Sequence, residues 1–269
     1  DVAVVADEDV KHYIASDWDV NYRNLVLLRN QSLKTGTTVG FYLLDDWLHG
    51  KVPDCKVYVF PNAFHLTSAE ITKIKQRFVE SDAMAVWLYG PGCYTRDRYS
   101  TEPVKQVSGI PVITDEGSQG SYGGGFLSGH RWGLKHPVFR RPVVEEDKSI
   151  QIIGYYQDDN QPSAAVARTG NHESVFLGDI ELSLEVLREL FKRGGAHIWS
   201  EGDEVIHSDG RFLAVHSSRD GLVELNIPPG MKIQALDDHP VEVNGTKAFV
   251  DLEEFETAWF SIQQKKDNN

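Results

Sequence analysis

Ala83-Met84-Ala85-Val86-Trp87-Leu88-Tyr89 runs straight into Gly90-Pro91-Gly92. The run is almost continuously apolar, the pattern of a strand buried on both faces in a parallel sheet. Earlier segments share the character. Val2-Ala3-Val4-Val5, Val39 to Leu44 and Lys56 to Phe60 are short strands. Between them the spacing predicts helices. One spans about Val20 to Lys34, with Leu25, Leu28 and Leu33 on an apolar stripe and Gly36 placed to end it. The next opens at Thr67-Ser68-Ala69-Glu70, a capping box, and carries Ile71, Ile74 and Phe78 at helical spacing. Ile110 to Ile113 is a further short strand. Repeated strand–helix alternation predicts a parallel sheet flanked by helices.

Thr114 to Pro142 breaks the pattern. It is rich in Gly, Ser and His, with Gly123-Gly124-Gly125 at its centre, and is expected to be a long irregular excursion. Strands resume at Ile150 to Ile153, Ala164 to Ala167 and Val175 to Leu177. A helix from Ser183 to Arg193 stops at Gly194-Gly195. The remainder of the chain is all β: a hairpin over Glu204 to Val215 around Asp209-Gly210, then Leu222 to Ile227, Lys232 to Leu236, Ala248 to Asp251 and Ala258 to Ile262, with Asn244-Gly245 as another turn. A boundary is expected near Ser218 to Gly221, giving an α/β domain over 1–218 and a small antiparallel β domain over 219–269. The polar tail Gln263 to Asn269 is expected to fray.

The 269 residues, 41% hydrophobic and including six Trp, suffice for a full core. No apolar run reaches the length of a membrane span, so a soluble protein is expected. The amino end lacks the basic and apolar regions of a signal peptide. It begins with Asp, which suggests a processed piece or a chain whose first residues are not shown. The formal net charge of −13 argues against nucleic acid and anionic membranes, which call for clustered Lys and Arg. It is compatible with a neutral ligand such as a sugar. Two cysteines, Cys55 and Cys93, make neither a disulfide scaffold nor a metal motif. The sequons at Asn30 and Asn244 do not fix a compartment.

Three segments in order carry a resemblance: Phe41-Tyr42-Leu43-Leu44-Asp45-Asp46, Cys55-Lys56-Val57-Tyr58-Val59-Phe60-Pro61-Asn62-Ala63-Phe64, and Ala85-Val86-Trp87-Leu88-Tyr89-Gly90-Pro91-Gly92. Together they resemble the trimerisation domain of family 42 β-galactosidases, which is similar in fold to class I glutamine amidotransferases. Ala196 to Trp199 and Phe212 to His216 look like the end of that domain. Glu256-Thr257-Ala258-Trp259-Phe260 resembles the small β domain that closes those enzymes. The resemblance implies a flavodoxin-like α/β domain, a small β domain and a homo-oligomer, a trimer by family analogy. It also implies a partnership with a catalytic (β/α)8 barrel. This chain has no room for such a barrel, which takes about 250 residues by itself. None of its 40 acidic residues can be assigned as the acid or nucleophile of a glycosidase.

The amidotransferase likeness raises a Cys-His hydrolase as the alternative activity. Cys93 follows the strand-to-turn stretch and His216 ends a late strand. Against it, no Gly-x-Cys-x-Gly elbow surrounds Cys93, and Ser217-Ser218 follow His216. The glycines from Gly120 to Gly129 do not match a phosphate loop. Asp45, Asp46 and His49 are read as helix capping and packing rather than as metal ligands, and His130 and His136 have no ligand spacing. No metal or cofactor is therefore expected. Tyr89, Tyr94, Tyr99, Tyr122 and Trp132 gather near strand ends or in the Gly-rich stretch. They are candidates for a carbohydrate surface or a subunit interface. The expected function is a non-catalytic oligomerisation or accessory role beside a glycoside hydrolase barrel. A carbohydrate-binding subunit is a further alternative.

Overall fold

The computed structural model describes residues 1–13, 20–79, 81–95, 98–133 and 137–264. β1 (Val2–Ala6) opens the chain. The helix expected from Val20 begins as a wide π-type turn at Tyr22–Leu27 and tightens into α1 (Leu28–Leu33). There follow β2 (Val39–Leu43), α2 (Leu44–Leu48), β3 (Val57–Phe60), α3 (Ser68–Val79), β4 (Met84–Leu88) and α4 (Glu102–Ser108). Beyond α4 come β5 (Val112–Ser118), β6 (Ser121–Gly123), β7 (Arg131–Trp132), β8 (Pro137–Val144), β9 (Ile150–Tyr156), β10 (Pro162–Thr169), β11 (His172–Leu177) and α5 (Leu184–Arg193). Seven strands close the chain: β12 (Val205–Ser208), β13 (Phe212–His216), β14 (Gly221–Asn226), β15 (Met231–Ala235), β16 (Val241–Asn244), β17 (Lys247–Leu252) and β18 (Thr257–Gln264).

Local signals explain the helix starts. The Thr67 amide donates to Glu70 Oε2 at 2.7 Å and the Glu70 amide to Thr67 Oγ1 at 3.2 Å, both arms of a capping box. Ile71, Ile74 and Phe78 are then buried on one face. Ser183 caps α5 by accepting from the Val186 amide, and Val186, Leu187, Leu190 and Phe191 are buried.

The main sheet has nine strands in the order β2-β1-β3-β4-β11-β10-β9-β6-β7. The first five are mutually parallel, and the remaining pairings are antiparallel. The sheet is thus mixed, which corrects the expectation of a purely parallel one. The cause is β11: it reaches its place beside β4 through the antiparallel hairpin with β10, not through a crossover helix. Alternate side chains feed two cores. Ala3, Val5, Tyr58, Phe60, Ala85, Trp87 and Phe176 pack against α2, α3 and α4, whereas Val2, Val4, Val57, Val59, Val86, Leu88 and Val175 pack against α1 and α5.

Two further expectations are corrected. The strand begun at Val112 leaves the main sheet, because β5 pairs with β8 as a separate two-stranded ribbon. The stretch from Thr114 to Pro142 is not an irregular loop, since its described part supplies β5, β6, β7 and the start of β8. Its glycines serve close approach: a Cβ on Gly123 would overlap the Leu127 carbonyl, so only glycine lets the Gly125–Leu127 turn fold back onto β6. His136 lies outside the described residues, as do the last five of the tail expected to fray.

The last seven strands form a four-stranded sheet, β12-β13-β18-β15, and a three-stranded one, β14-β17-β16. They share a third core that includes Leu213, Val215, Leu225, Val250 and Phe260. β13 pairs with β18 from Phe212↔Ser261 to His216↔Thr257, so strands on either side of residue 218 lie in one sheet. Trp199 joins the two regions: its amide donates to the Gly36 carbonyl and its carbonyl accepts from the Asn226 amide, each at 2.6 Å.

Candidate functional site

In open α/β sheets, ligands sit beyond the carboxyl ends of the parallel strands. Here β1, β3, β4 and β11 end at one edge, followed by Asp7, Asn62, Tyr89 and Asp179. Asp7 and Asn62 are zipped together. The Asp7 amide donates to Asn62 Oδ1 and Asn62 Nδ2 donates to the Asp7 carbonyl, each at 2.8 Å. Burial pushes the Asp7 carboxyl up to about 6. Asp179 is buried and accepts from the Gly120 amide at 2.6 Å and from Ser121 Oγ and the Ile180 amide at 2.9 Å. Burial outweighs those bonds and raises its carboxyl to about 7. This carboxylate ties the Gly-rich stretch to the end of β11.

Tyr89 is the first residue after β4 and has φ 64°, a conformation that non-glycine residues seldom adopt. Its hydroxyl donates to the Arg140 carbonyl at 3.0 Å. Around it the structure gathers Phe64, Cys93, Tyr94 and Tyr99. The Phe64–Tyr89 ring centroids are 5.7 Å apart, and Tyr94 meets Tyr99 edge-on at 5.2 Å. The Arg140 guanidinium lies over Tyr99 at 4.7 Å. Cys93 is fully buried in the same core, and burial pushes its thiol far up.

His216 lies elsewhere. It ends β13 in the four-stranded sheet, and its Nδ1 is 2.9 Å from Thr257 Oγ1. Among the described residues no contact joins it to Cys93. Tyr122 and Trp132 are likewise apart from the tyrosine group, at the far edge of the main sheet. Tyr122 stacks on Tyr155 at 5.6 Å and donates to Asn160 Oδ1, whereas Trp132 is buried against Gly154. Asp45 and Asp46 lie in the first turn of α2 and do not cap it, which corrects the capping expectation; His49 Nδ1 is 2.8 Å from the Asp45 carbonyl, and Asp46 pairs with Lys51. Among the described residues no group of three or more His, Cys, Asp or Glu is placed to hold a metal.

Other aromatics are more open to solvent than these. Trp259 and Phe212 stand half-exposed on β18 and β13 of the four-stranded sheet, with Trp259 opposite Ala214. The strand alternation carried that signal, since Ala258 and Phe260 point inward and Trp259 must point out. The buried carboxyls Asp7 and Asp179 carried none, because their burial depends on distant segments.

No protein-family model matches the chain, and no curated protein matches its sequence. Solved structures do match. The β-galactosidase from Bacillus circulans sp. alkalophilus superposes with a TM-score of 0.68 at 14% identity, over 97% of this chain and 41% of that one. The β-galactosidase from Rahnella sp. R3 gives 0.64 at 15% identity, over 98% and 41%. Gan42B, a GH42 β-galactosidase from G. stearothermophilus, gives 0.62 at 13% identity, over 98% and 40%. The chain thus spans about two fifths of the length of these enzymes. The likeness is one of fold, and it takes in both the α/β layer and the β strands that follow.

Proposed function

We propose that this chain is a non-catalytic accessory region of a β-galactosidase-like glycoside hydrolase, working in the assembly around a catalytic barrel rather than in the chemistry. The observation that carries this reading is the superposition of nearly the whole chain on two fifths of each β-galactosidase. The parallel strand order β2-β1-β3-β4-β11 supports a flavodoxin-like, amidotransferase-like α/β unit. The pairing of β13 with β18 favours dividing the chain near Trp199 rather than at residue 218. A homo-oligomer, trimeric by analogy, and contact with a barrel chain or domain are part of the proposal.

The hydrolase alternative finds little support. Cys93 is buried, His216 belongs to another sheet, and the strained residue after β4 is Tyr89. Native mass spectrometry on material from its source tests the accessory reading. A complex with a barrel-sized second chain, or a multiple of the 30.2 kDa chain, is expected. A lone 30.2 kDa species with no partner overturns the assembly role.

A further inference from the structure

We propose that the cleft between the Ser200–Glu204 loop and β14 binds a neutral polyhydroxylated ligand, a single sugar ring or the end of a glycan. The cleft measures about 460 Å³, within the range of small-molecule sites. It lies where the α/β layer meets the β strands, the kind of junction at which such sites concentrate.

The loop is built to hold one carboxylate. Glu204 is 4% exposed, rare for an acidic side chain. Ser200 Oγ donates to Glu204 Oε2 at 2.7 Å, and the Gly202 amide donates to Ser200 Oγ at 3.1 Å. A Cβ on Gly202 would overlap the carboxylate, so glycine is needed for the group to lie there. Arg188 on α5 fixes the loop from behind, donating to the Gly202, Lys34 and Thr35 carbonyls. Glu204 Oε1, by contrast, has no hydrogen-bond partner among the described residues and is not sealed from solvent. A largely buried carboxylate with one oxygen unpaired calls for donors.

The chemistry of the wall selects the ligand. Glu224 pairs with Lys247, and Glu201 with Lys192 at 2.8 Å. Arg219 also lines the cleft and has no ion-pair partner among the described residues. The groups left open thus include one fixed acceptor, Glu204 Oε1, and one cationic donor, Arg219. A cation meets Arg219 and an anion meets Glu204, whereas a hydroxyl-bearing ring both donates and accepts. Leu222 is 69% exposed at the rim and offers an apolar surface to the C–H face of such a ring. This site stands independently of the accessory reading.

Saturation-transfer NMR and calorimetric titration of the full chain with D-galactose and D-glucose, each to about 50 mM, test the proposal. Millimolar binding of at least one sugar is expected. Arg219→Ala and Glu204→Gln should each weaken it about fivefold or more, and Trp259→Ala should leave it unchanged. Arg219 is exposed, so its variant serves even where Glu204→Gln fails to fold. Four results overturn the proposal: neither sugar binds the folded protein; Arg219→Ala leaves the affinity unchanged; Trp259→Ala abolishes binding; or inorganic phosphate or lysine binds while the sugars do not.

Discussion

The Tyr89 hydroxyl donates to the Arg140 carbonyl at 3.0 Å, so the strained residue after β4 is locked to the last strand of the β5–β8 ribbon. A strained turn directly after a strand is one way in which a fold presents a nucleophile. Here the strained backbone presents a buried phenol, and burial raises its pKa far above the ordinary value. The nearest thiol, Cys93, points into the same core.

Cys93 is therefore expected to be inert. Burial raises both thiols, but Cys55 keeps some surface whereas Cys93 has none. Alkylation of the native protein by iodoacetamide, read by peptide mass spectrometry, should modify Cys55 first and Cys93 only on unfolding. Faster modification of Cys93 would revive the Cys-His hydrolase.

Asp7 should make the protein less stable as pH rises. Its folded pKa of about 6 lies above the ordinary carboxyl value of 3.8, so the folded state holds its proton where the unfolded state has lost it. The stabilising contribution is complete below about pH 4 and fades as pH passes through 6. Asp7→Asn keeps an acceptor for the Asp9 amide without the charge. Urea denaturation at pH 4 and pH 7.5 should show the variant gaining on wild type only at the higher pH. An equal difference at both values would mean that Asp7 is not held protonated.

What the sequence disclosed was local. The Thr67–Glu70 box, the helix starting at Ser183 and the Asp209-Gly210 hairpin all formed, because each depends on residues within a few positions of one another. The place of β11 beside β4 was not legible. It is fixed by pairing across some ninety positions, and a short apolar strand carries no mark of its neighbour. β16 was missed for a related reason: Val241 to Asn244 is a four-residue edge strand with little burial. The relative placement of Cys93 and His216 was not legible either, because strand ends alone do not say which sheet a strand joins.

Arg141 should be the most sensitive single position outside the hydrophobic cores. Its side chain is fully buried beneath the ribbon and reaches Asp158 at 2.9 Å, Asp159 at 2.5 Å and Asp115 at 3.4 Å. It also donates to the Ser118 carbonyl and lies over the Tyr156 ring. Arg141→Met removes the cation and leaves three carboxylates facing one another; since these are partly exposed, the loss is about 2 kcal/mol. Arg141→Lys should recover little of it, since an ammonium cannot span the same acceptors. Denaturation midpoints of the two variants settle this, and a Lys variant matching wild type would show that charge alone suffices.

His239 gives the last prediction. Its Nε2 lies 2.9 Å from Glu256 Oε1 and its Nδ1 2.8 Å from Asp237 Oδ1. Asp237 also accepts from the Trp259 amide and Glu256 from the Glu253 amide, so the imidazole fastens the segment after β15 to the start of β18. The neighbouring carboxylates of Glu256 and then Asp237 raise its pKa above the ordinary 6.5. The stabilisation is then whole below about pH 6.5 and is lost as pH rises through the folded value. The imidazole titration, followed by NMR at low salt, should show a midpoint above 6.5 that falls in Glu256→Gln. It should also fall in high salt, because the group is near solvent and its partners are screened. A midpoint at or below 6.5 in the wild type would mean that neither carboxylate holds the proton in solution, and that the segment after β15 is fastened by its bonds to the Trp259 backbone alone.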